Sequence, residues 1–194
     1  MMPFEFKQDD VLPQVIHVIP KKFEDPRGWF AETYRADVFA EAGIAGPFVQ
    51  DNHSRSADAG TIRGLHFQAP PYAQGKLVRC VKGRILDVAV DVRRSSPNFG
   101  RAMSVELCAD SGAQLFIPRG FAHGFCTLED DTEVVYKTDA YYAPSHDYGI
   151  AHDDPAIAID WPVPPHARIL SDKDRALPSL ADYLKLESIH EEER

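Results

Sequence analysis

From Leu77 to Thr138 the chain repeats one pattern, in which apolar and polar residues alternate in short runs separated by breaks rich in glycine, proline or aspartate. A period of two is the signature of a strand, and short strands at regular spacing restrict the chain to a β-sandwich or barrel. Leu77 to Val81, the pair Lys82-Gly83 and Ile85 to Val92 read as strand, tight turn, strand. In the second of these runs Leu86, Val88, Val90 and Val92 share one face and Asp87 and Asp91 the other, which predicts a half-buried strand. Met103, Val105 and Leu107 alternate likewise; Ala109 to Gly112 is a turn, and Gln114 to Ile117 returns until Pro118 and Gly120 break it. Gly124 to Thr127 and Thr132 to Thr138 read as the next pair.

Helix is confined to the flanks. Ala36 to Ala42 predicts a short helix closed by Gly43. Ser179, with Asp182 three residues on, caps a second helix through Tyr183, Leu184 and Leu186, and Glu191 to Arg194 is expected to fray. The 15 prolines, with Pro162, Pro164 and Pro165 close together, predict long ordered loops between Tyr142 and Leu177. Ile157, Ile159, Trp161, Ile169 and Leu170 give those loops apolar anchors for covering one end of a barrel. The expected organisation is one domain over residues 1–194. It has an N-terminal arm (1–35) too polar for a core of its own, a barrel core (45–140), and C-terminal loops and helix (141–194).

A chain of 194 residues with 44% hydrophobic content is long enough for one sizeable core. The net charge of −9 argues against nucleic-acid binding, which needs a basic face, but leaves room for a small anion held by a few cations. Cys80, Cys108 and Cys126 are odd in number and lack metal-knuckle spacing, and Cys108 and Cys126 read as small core residues. The polar start, Met1 to Asp10, is not a signal peptide, and no apolar run approaches the ~18 residues of a membrane span. The expected compartment is the cytoplasm.

Chemistry concentrates in two segments: Arg63-Gly64-Leu65-His66-Phe67-Gln68, followed by Gln74 to Arg79, and Ile117 to Phe125, which holds His123. Metal-binding barrels of this kind offer His-x-His, then Glu, then a later His; position 68 here is Gln, and two histidines are too few for a closed site, so no metal is expected. A lone histidine on an apolar strand is usually a packed core residue. Arg63, Lys76 and Tyr136 give His66 different company: a cationic pocket with a neutral imidazole can bind a diphosphate and still take a proton.

Taken in order, the segments Phe23 to Glu32, Phe48 to Ser54, Arg63 to His66, Asp87 to Arg93, Ser96 to Gly100 and Ile117 to Phe125 resemble the dTDP-4-dehydrorhamnose 3,5-epimerase family of cupins. Tyr136-Lys137, Tyr142 to Pro144, Asp153 to Pro155, Ile159 to Pro162 and Leu170 to Asp174 continue the resemblance over nearly the whole chain. It implies an all-β cupin-type jelly-roll barrel (double-stranded β-helix) with short flanking helices, a homodimer, and no metal or organic cofactor. The implied reaction is inversion of C3 and C5 of dTDP-4-dehydro-6-deoxy-D-glucose to give dTDP-4-dehydro-L-rhamnose.

The resemblance also implies roles. His66 is the base, with Asp174, or alternatively Asp172, holding its second ring nitrogen. Lys76 stabilises the enolate oxygen and Tyr136 is the proton donor. Arg63, His123 and Lys173 contact the diphosphate or sugar. Arg27, Glu32, Gln50 and Asn52 address the thymidine end, with the arm reaching across a dimer. The alternative reading makes Arg27 and Glu32 a surface pair and Gln50 and Asn52 turn residues. The mouth loop departs from the family pattern: Asp147, expected to contact substrate, and Ser145 stand where Glu is usual, and His152 where Trp is usual. Inversion at C3 only or C5 only would use the same base and acid. A non-catalytic nucleotide-sugar-binding cupin would have no need of an opposed acid and base.

Overall fold

The alternating runs become two antiparallel sheets that face each other. The computed structural model describes residues 3–44 and 46–185. Its strands are β1 (Phe4–Gln8), β2 (Ile16–Pro20), β3 (Phe23–Asp25), β4 (Gly28–Phe30), β5 (Gln50–Ser56), β6 (Ile62–Gln68) and β7 (Lys76–Lys82). They continue with β8 (Arg84–Asp91), β9 (Ala102–Cys108), β10 (Gln114–Ile117), β11 (Phe121–Thr127), β12 (Thr132–Thr138) and β13 (Asp147–Gly149). One sheet runs β1-β2-β10-β7-β12-β5, the other β13-β6-β11-β8-β9, and β3-β4 is a separate hairpin. This is the cupin jelly roll.

The core between the sheets takes Val78, Cys80, Leu115, Ile117 and Val134 from the first sheet and Ile85, Ala89, Met103, Leu107 and Phe121 from the second. The outer face of the six-stranded sheet is closed by α1 (Ala36–Glu41), whose Val38 and Phe39 pack on Phe4, Val18 and Phe116. Gly43, at φ +84, follows the Ala42 cap as its spacing predicted. Ser179 accepts the Asp182 N–H at 3.1 Å and caps helical residues 180–185. Leu186 and the Glu191–Arg194 end lie outside the described residues. Among the described residues no helix is long and apolar enough to cross a membrane.

Five expectations change in three dimensions. β7 and β8, separated only by Gly83, do not pair; they belong to opposite sheets, as do β11 and β12. Alternation marks strands but carries no label for the partner. Second, β8 is not half-buried. Asp87 and Asp91 are wholly buried with Ile85 and Ala89 inside the barrel, while Val88 and Val90 pack on its outside. Asp91 accepts from Arg93 Nη2 at 2.6 Å and Ser96 Oγ at 2.6 Å, so its burial is compensated.

Third, the N-terminal segment enters the barrel: β1 and β2 extend the six-stranded sheet, and Leu12 and Val15 are fully buried in the central core. A few apolar residues suffice: Phe4, Leu12, Val15, Ile16 and Val18 are buried, while Val11, Ile19, Trp29 and Phe30 stay exposed. Fourth, the loops after Tyr142 cover a face rather than an end. Ile157 and Trp161 pack with Leu180 and Tyr183 over Ile62, Val88 and Val90, and Ile169 stays 42% exposed. Cys108, read as a core residue, is only half-buried at the end of β9.

β6 and β11 pair closely, with His66 opposite His123 and a register shift just beyond. Gly64, at φ +128, makes that approach possible: a Cβ there would lie 2.5 Å from Gly124 Cα and 2.8 Å from His123 O. Gly64→Ala adds strain at a positive φ to an overpacked backbone contact, together about 2–5 kcal/mol. Chemical denaturation should show a loss in that range; an unchanged midpoint would mean that the two strands separate at no cost.

Candidate active site

The two walls of the barrel contribute different chemistry. His66, His123 and Asp87 project inward from the five-stranded sheet, and Lys76, Tyr136 and Asn52 come from the six-stranded sheet. Between them lie two adjoining cavities of about 370 Å³ and 320 Å³, and His66, Lys76, Tyr136 and Lys173 line both.

On one wall His66 Nε2 is 2.5 Å from Asp174 Oδ1. Asp174 sits on α2 (Asp172–Arg175), whose N-cap, Ser171, accepts the Asp174 N–H at 3.1 Å and donates its hydroxyl to Asp174 Oδ2 at 2.8 Å. Burial pushes the Asp174 carboxyl up, but its hydrogen bonds to His66 and Ser171 outweigh burial and hold it below the usual carboxylate range. An ionised Asp174 accepts a hydrogen bond from His66 Nε2–H, which leaves Nδ1 as the acceptor nitrogen. Of the two aspartates named from sequence, it is therefore Asp174 that reaches the imidazole; Asp172 is exposed.

A second pair lies behind. His123 Nε2 is 2.7 Å from Asp87 Oδ1, both side chains buried. Burial pulls the His123 pKa below its ordinary value against the pull of Asp87. Asp87 Oδ2 is buried without a hydrogen-bond partner among the described residues. Asp87 was read as part of a polar strand face. No local signal in the sequence marks it: the register that sets His123 opposite Ala89 on β8, two residues from Asp87 along the same face, exists only in the folded barrel.

The Lys76 ammonium is buried and donates to the His66 carbonyl at 3.2 Å. Burial lowers its pKa to about 8, opposed by the charges of Asp147 and Asp87 and reinforced by Lys173. On the same wall as Lys76, across the cavity from His66, burial and then the Asp147 charge raise the Tyr136 pKa, so its hydroxyl keeps its proton at neutral pH and remains a donor.

At the mouth, Asp147 Oδ2 accepts from Lys173 Nζ at 2.6 Å and from the Tyr142 hydroxyl at 2.9 Å. Gln50 Nε2 donates to Asn52 Oδ1 at 3.0 Å; both lie on β5 rather than in a turn, and both line the larger cavity. Arg63 lines the smaller cavity, its Nε donating to Ser56 Oγ at 3.2 Å.

Arg27 and Glu32 are not brought to these cavities within the protomer. Arg27, 89% exposed, pairs with Asp25 on the β3–β4 hairpin, and Glu32 stands 3.8 Å from Arg35. They do not pair with each other. Of the three loop departures, Asp147 lines the larger of these two cavities, and Ser145 and His152 line neither. His152 lies under the C-terminal loops, where its carbonyl accepts from Trp161 Nε1 at 2.7 Å, and Ser145 Oγ is 2.9 Å from His146 Nδ1. Gln68 lines the larger cavity but turns both ends of its amide away to the 141–143 segment and Tyr72. Among the described residues no three His, Cys, Asp or Glu side chains stand together as a metal-binding group.

An aspartate-held imidazole on one wall, with a protonated tyrosine and a buried ammonium on the other, can serve acid–base chemistry on a substrate with exchangeable carbon-bound hydrogens. Fold and site together define an isomerase of the cupin class. The comparisons narrow the class. A family model described as dTDP-4-dehydrorhamnose 3,5-epimerase matches residues 10–182. The dTDP-4-dehydrorhamnose 3,5-epimerase of Sinorhizobium fredii is 50% identical over 171 residues, covering 88% of this chain and 87% of its own. A crystal structure of the Bacillus anthracis enzyme of that name, with TDP and PPi bound, superposes with a TM-score of 0.87 at 47% identity, covering 91% of this chain and 99% of that one. The Legionella pneumophila epimerase in complex with dTDP-4-keto-L-rhamnose gives a TM-score of 0.87 at 40% identity, covering 92% and 93%. This chain belongs to the dTDP-4-dehydrorhamnose 3,5-epimerase family.

Lys76 carries its charge below about pH 8 and loses it above. The kcat/KM of the free enzyme should therefore fall as pH rises through about 8. Lys76→Arg keeps the charge, so that alkaline limb should disappear from its profile. A limb that stays in place in the arginine variant belongs to another group.

Proposed function

We propose that this protein inverts C3 and C5 of dTDP-4-dehydro-6-deoxy-D-glucose to give dTDP-4-dehydro-L-rhamnose, with the acid and the base on opposite walls of the barrel. The reading is carried by one arrangement: His66 held by Asp174 on one sheet and Tyr136 on the other, lining the same cavities as the buried Lys76. The C4 ketone acidifies the hydrogens at C3 and C5, because the carbanion left behind is an enolate. His66 Nδ1 takes the proton, and Asp174 stabilises the imidazolium that forms. The Lys76 ammonium offsets the negative charge on the enolate oxygen. The Tyr136 hydroxyl then delivers a proton to the opposite face of the carbon, which inverts it; the tyrosinate recovers a proton from solvent and the His66 imidazolium gives one up, which resets both groups for the second carbon. No metal or organic cofactor takes part.

Arg63 and Lys173 offer cations to the diphosphate, His123 a buried neutral imidazole to the sugar, and Asp147 a carboxylate at the mouth. Gln50 and Asn52 face the nucleotide end. The reading extends to a homodimer in the cytoplasm, in which the β3–β4 hairpin brings Arg27 and Glu32 to the partner's cavity. What supports this is that the hairpin leaves Trp29 (56% exposed) and Phe30 (68%) accessible within the protomer.

Two variants test the division of labour, assayed in deuterated water with NMR readout at C3 and C5. His66→Ala should lower exchange and inversion together by about two to four powers of ten, the usual loss of a general base. Exchange at the wild-type rate would remove His66 from the mechanism. Tyr136→Phe removes one oxygen and leaves the base intact, so deuterium should enter with retained configuration while inversion fails. Inversion near the wild-type rate would make Tyr136 a packing residue.

A further inference from the structure

Between β12 and β13, residues 140–143 bridge the two sheets at the cavity mouth. Their backbone is held by side chains. The Ala140 carbonyl accepts from Gln74 Nε2 at 2.7 Å and Thr138 Oγ1 at 2.9 Å. The Tyr142 N–H donates to Gln50 Oε1 at 3.1 Å, a contact with the six-stranded sheet. The five-stranded sheet holds the same segment through Gln68: Nε2 donates to the Tyr141 carbonyl at 3.2 Å, and Oε1 accepts the Ala143 N–H at 2.7 Å. Nε2 also reaches the Tyr72 carbonyl at 2.6 Å.

Apolar burial contributes little to this strap, since Tyr141 is 68% exposed and Tyr142 54%. Its position rests on these hydrogen bonds and on the Tyr142 hydroxyl bound to Asp147. Gln68 is the central one. It is 5% exposed, uses both ends of its amide, and lies two residues beyond His66 on β6, so its side chain and the imidazole share a face of one strand. An amide is the one side chain of this length that can both donate to a carbonyl and accept from an N–H.

We infer that Gln68 is a positioning residue for the reaction: it ties the strap over the cavity to the strand that carries His66, so that the enolate is reprotonated by the protein and not by entering water. The inference rests on the epimerase reading of the cavity. Closure of a site against water protects a reactive intermediate, and a small displacement of the closing segment is felt in the chemistry.

The test uses Gln68→Met, which keeps length and loses both hydrogen-bonding ends, and Gln68→Glu, which keeps the acceptor for Ala143 and loses the donor. In Gln68→Met, kcat/KM should fall about ten- to a hundredfold. Deuterium incorporated with retained configuration should rise relative to inversion. The alkaline limb of the pH profile should stay in place, because Lys76 is untouched. Amide hydrogen exchange over residues 139–147, read by mass spectrometry, should accelerate, and Gln68→Glu, whose carboxylate oxygen would face the Tyr72 and Tyr141 carbonyls without a proton to donate, should move both the ratio and the exchange in the same direction. An unchanged ratio of retention to inversion, or unchanged exchange in the strap, would overturn the inference even if kcat/KM fell. Should Gln68→Met not fold, Gln68→Glu alone decides by the same two readouts. Wild-type protein run alongside keeps the two ideas apart. A wild type that neither exchanges nor inverts sinks the epimerase reading, while strap protection still reports on Gln68.

Discussion

Burial of the Lys76 ammonium is the constraint around which the barrel interior is arranged. Taking an ammonium out of water is costly, and the cost falls only if opposite charge and hydrogen-bond acceptors are built nearby. Here the His66 carbonyl accepts directly, and Asp147 and Asp87 supply negative charge, one from the mouth and one from the depth of the barrel. Those aspartates in turn need partners, which Lys173, Tyr142 and His123 provide. One buried cation thus ties both sheets, α2 and the mouth loop into a single polar network. Networks of this kind rigidify a site when nearly every member is satisfied. Within this network the exception is Asp87 Oδ2, which is buried without a hydrogen-bond partner among the described residues, as is Glu32 Oε2 outside the network.

The two-sheet architecture suits the proposed chemistry for a geometric reason. Inverting a carbon centre requires proton removal on one face and proton delivery on the other. Two facing sheets present opposed side chains across a gap, and each sheet holds its own residues by ladder hydrogen bonds. His66 is fixed by β6 and by the capped turn of α2, and Tyr136 by its pairing with Val78 and Asn52 in the facing sheet. The close Gly64–Gly124 approach brings β6 against β11 and sets the two histidines opposite each other. Neither acid nor base hangs on a loop, so their separation is protected by the fold itself.

Around this rigid centre the chain uses looser devices. The mouth strap is held by glutamine side chains, and the C-terminal loops are held by apolar contacts plus the Asp154 carboxylate, which accepts the Leu180 N–H at 2.6 Å. Gln68 has a double meaning. In metal-binding barrels the corresponding place serves a ligand histidine; here an amide spends its capacity on the strap. The substitution that argues against a metal from sequence is also the one that fastens the mouth.

From sequence alone, the strands β7 to β12, the two flanking helices and the candidates His66, Lys76, Tyr136 and Asp174 could be read, while β1 to β5 and β13 could not. Alternation, caps and turn residues are local properties, and the ordered motifs name their members one by one. What strand meets what strand was decided in space. The short turn at Gly83 looked like a hairpin but carries the chain from one sheet to the other, because the partner of a strand is chosen by burial across the barrel and not by neighbours in sequence. The same reason hid Asp87. Its alternation with valines looked like a polar face in water, yet an interior that holds His123 and Lys76 makes the polar face the inside one. Arg27 and Glu32, quoted beside the other motif residues, stay outside the cavity of their own protomer, since adjacency along a list of motifs says nothing of distance once the chain is folded.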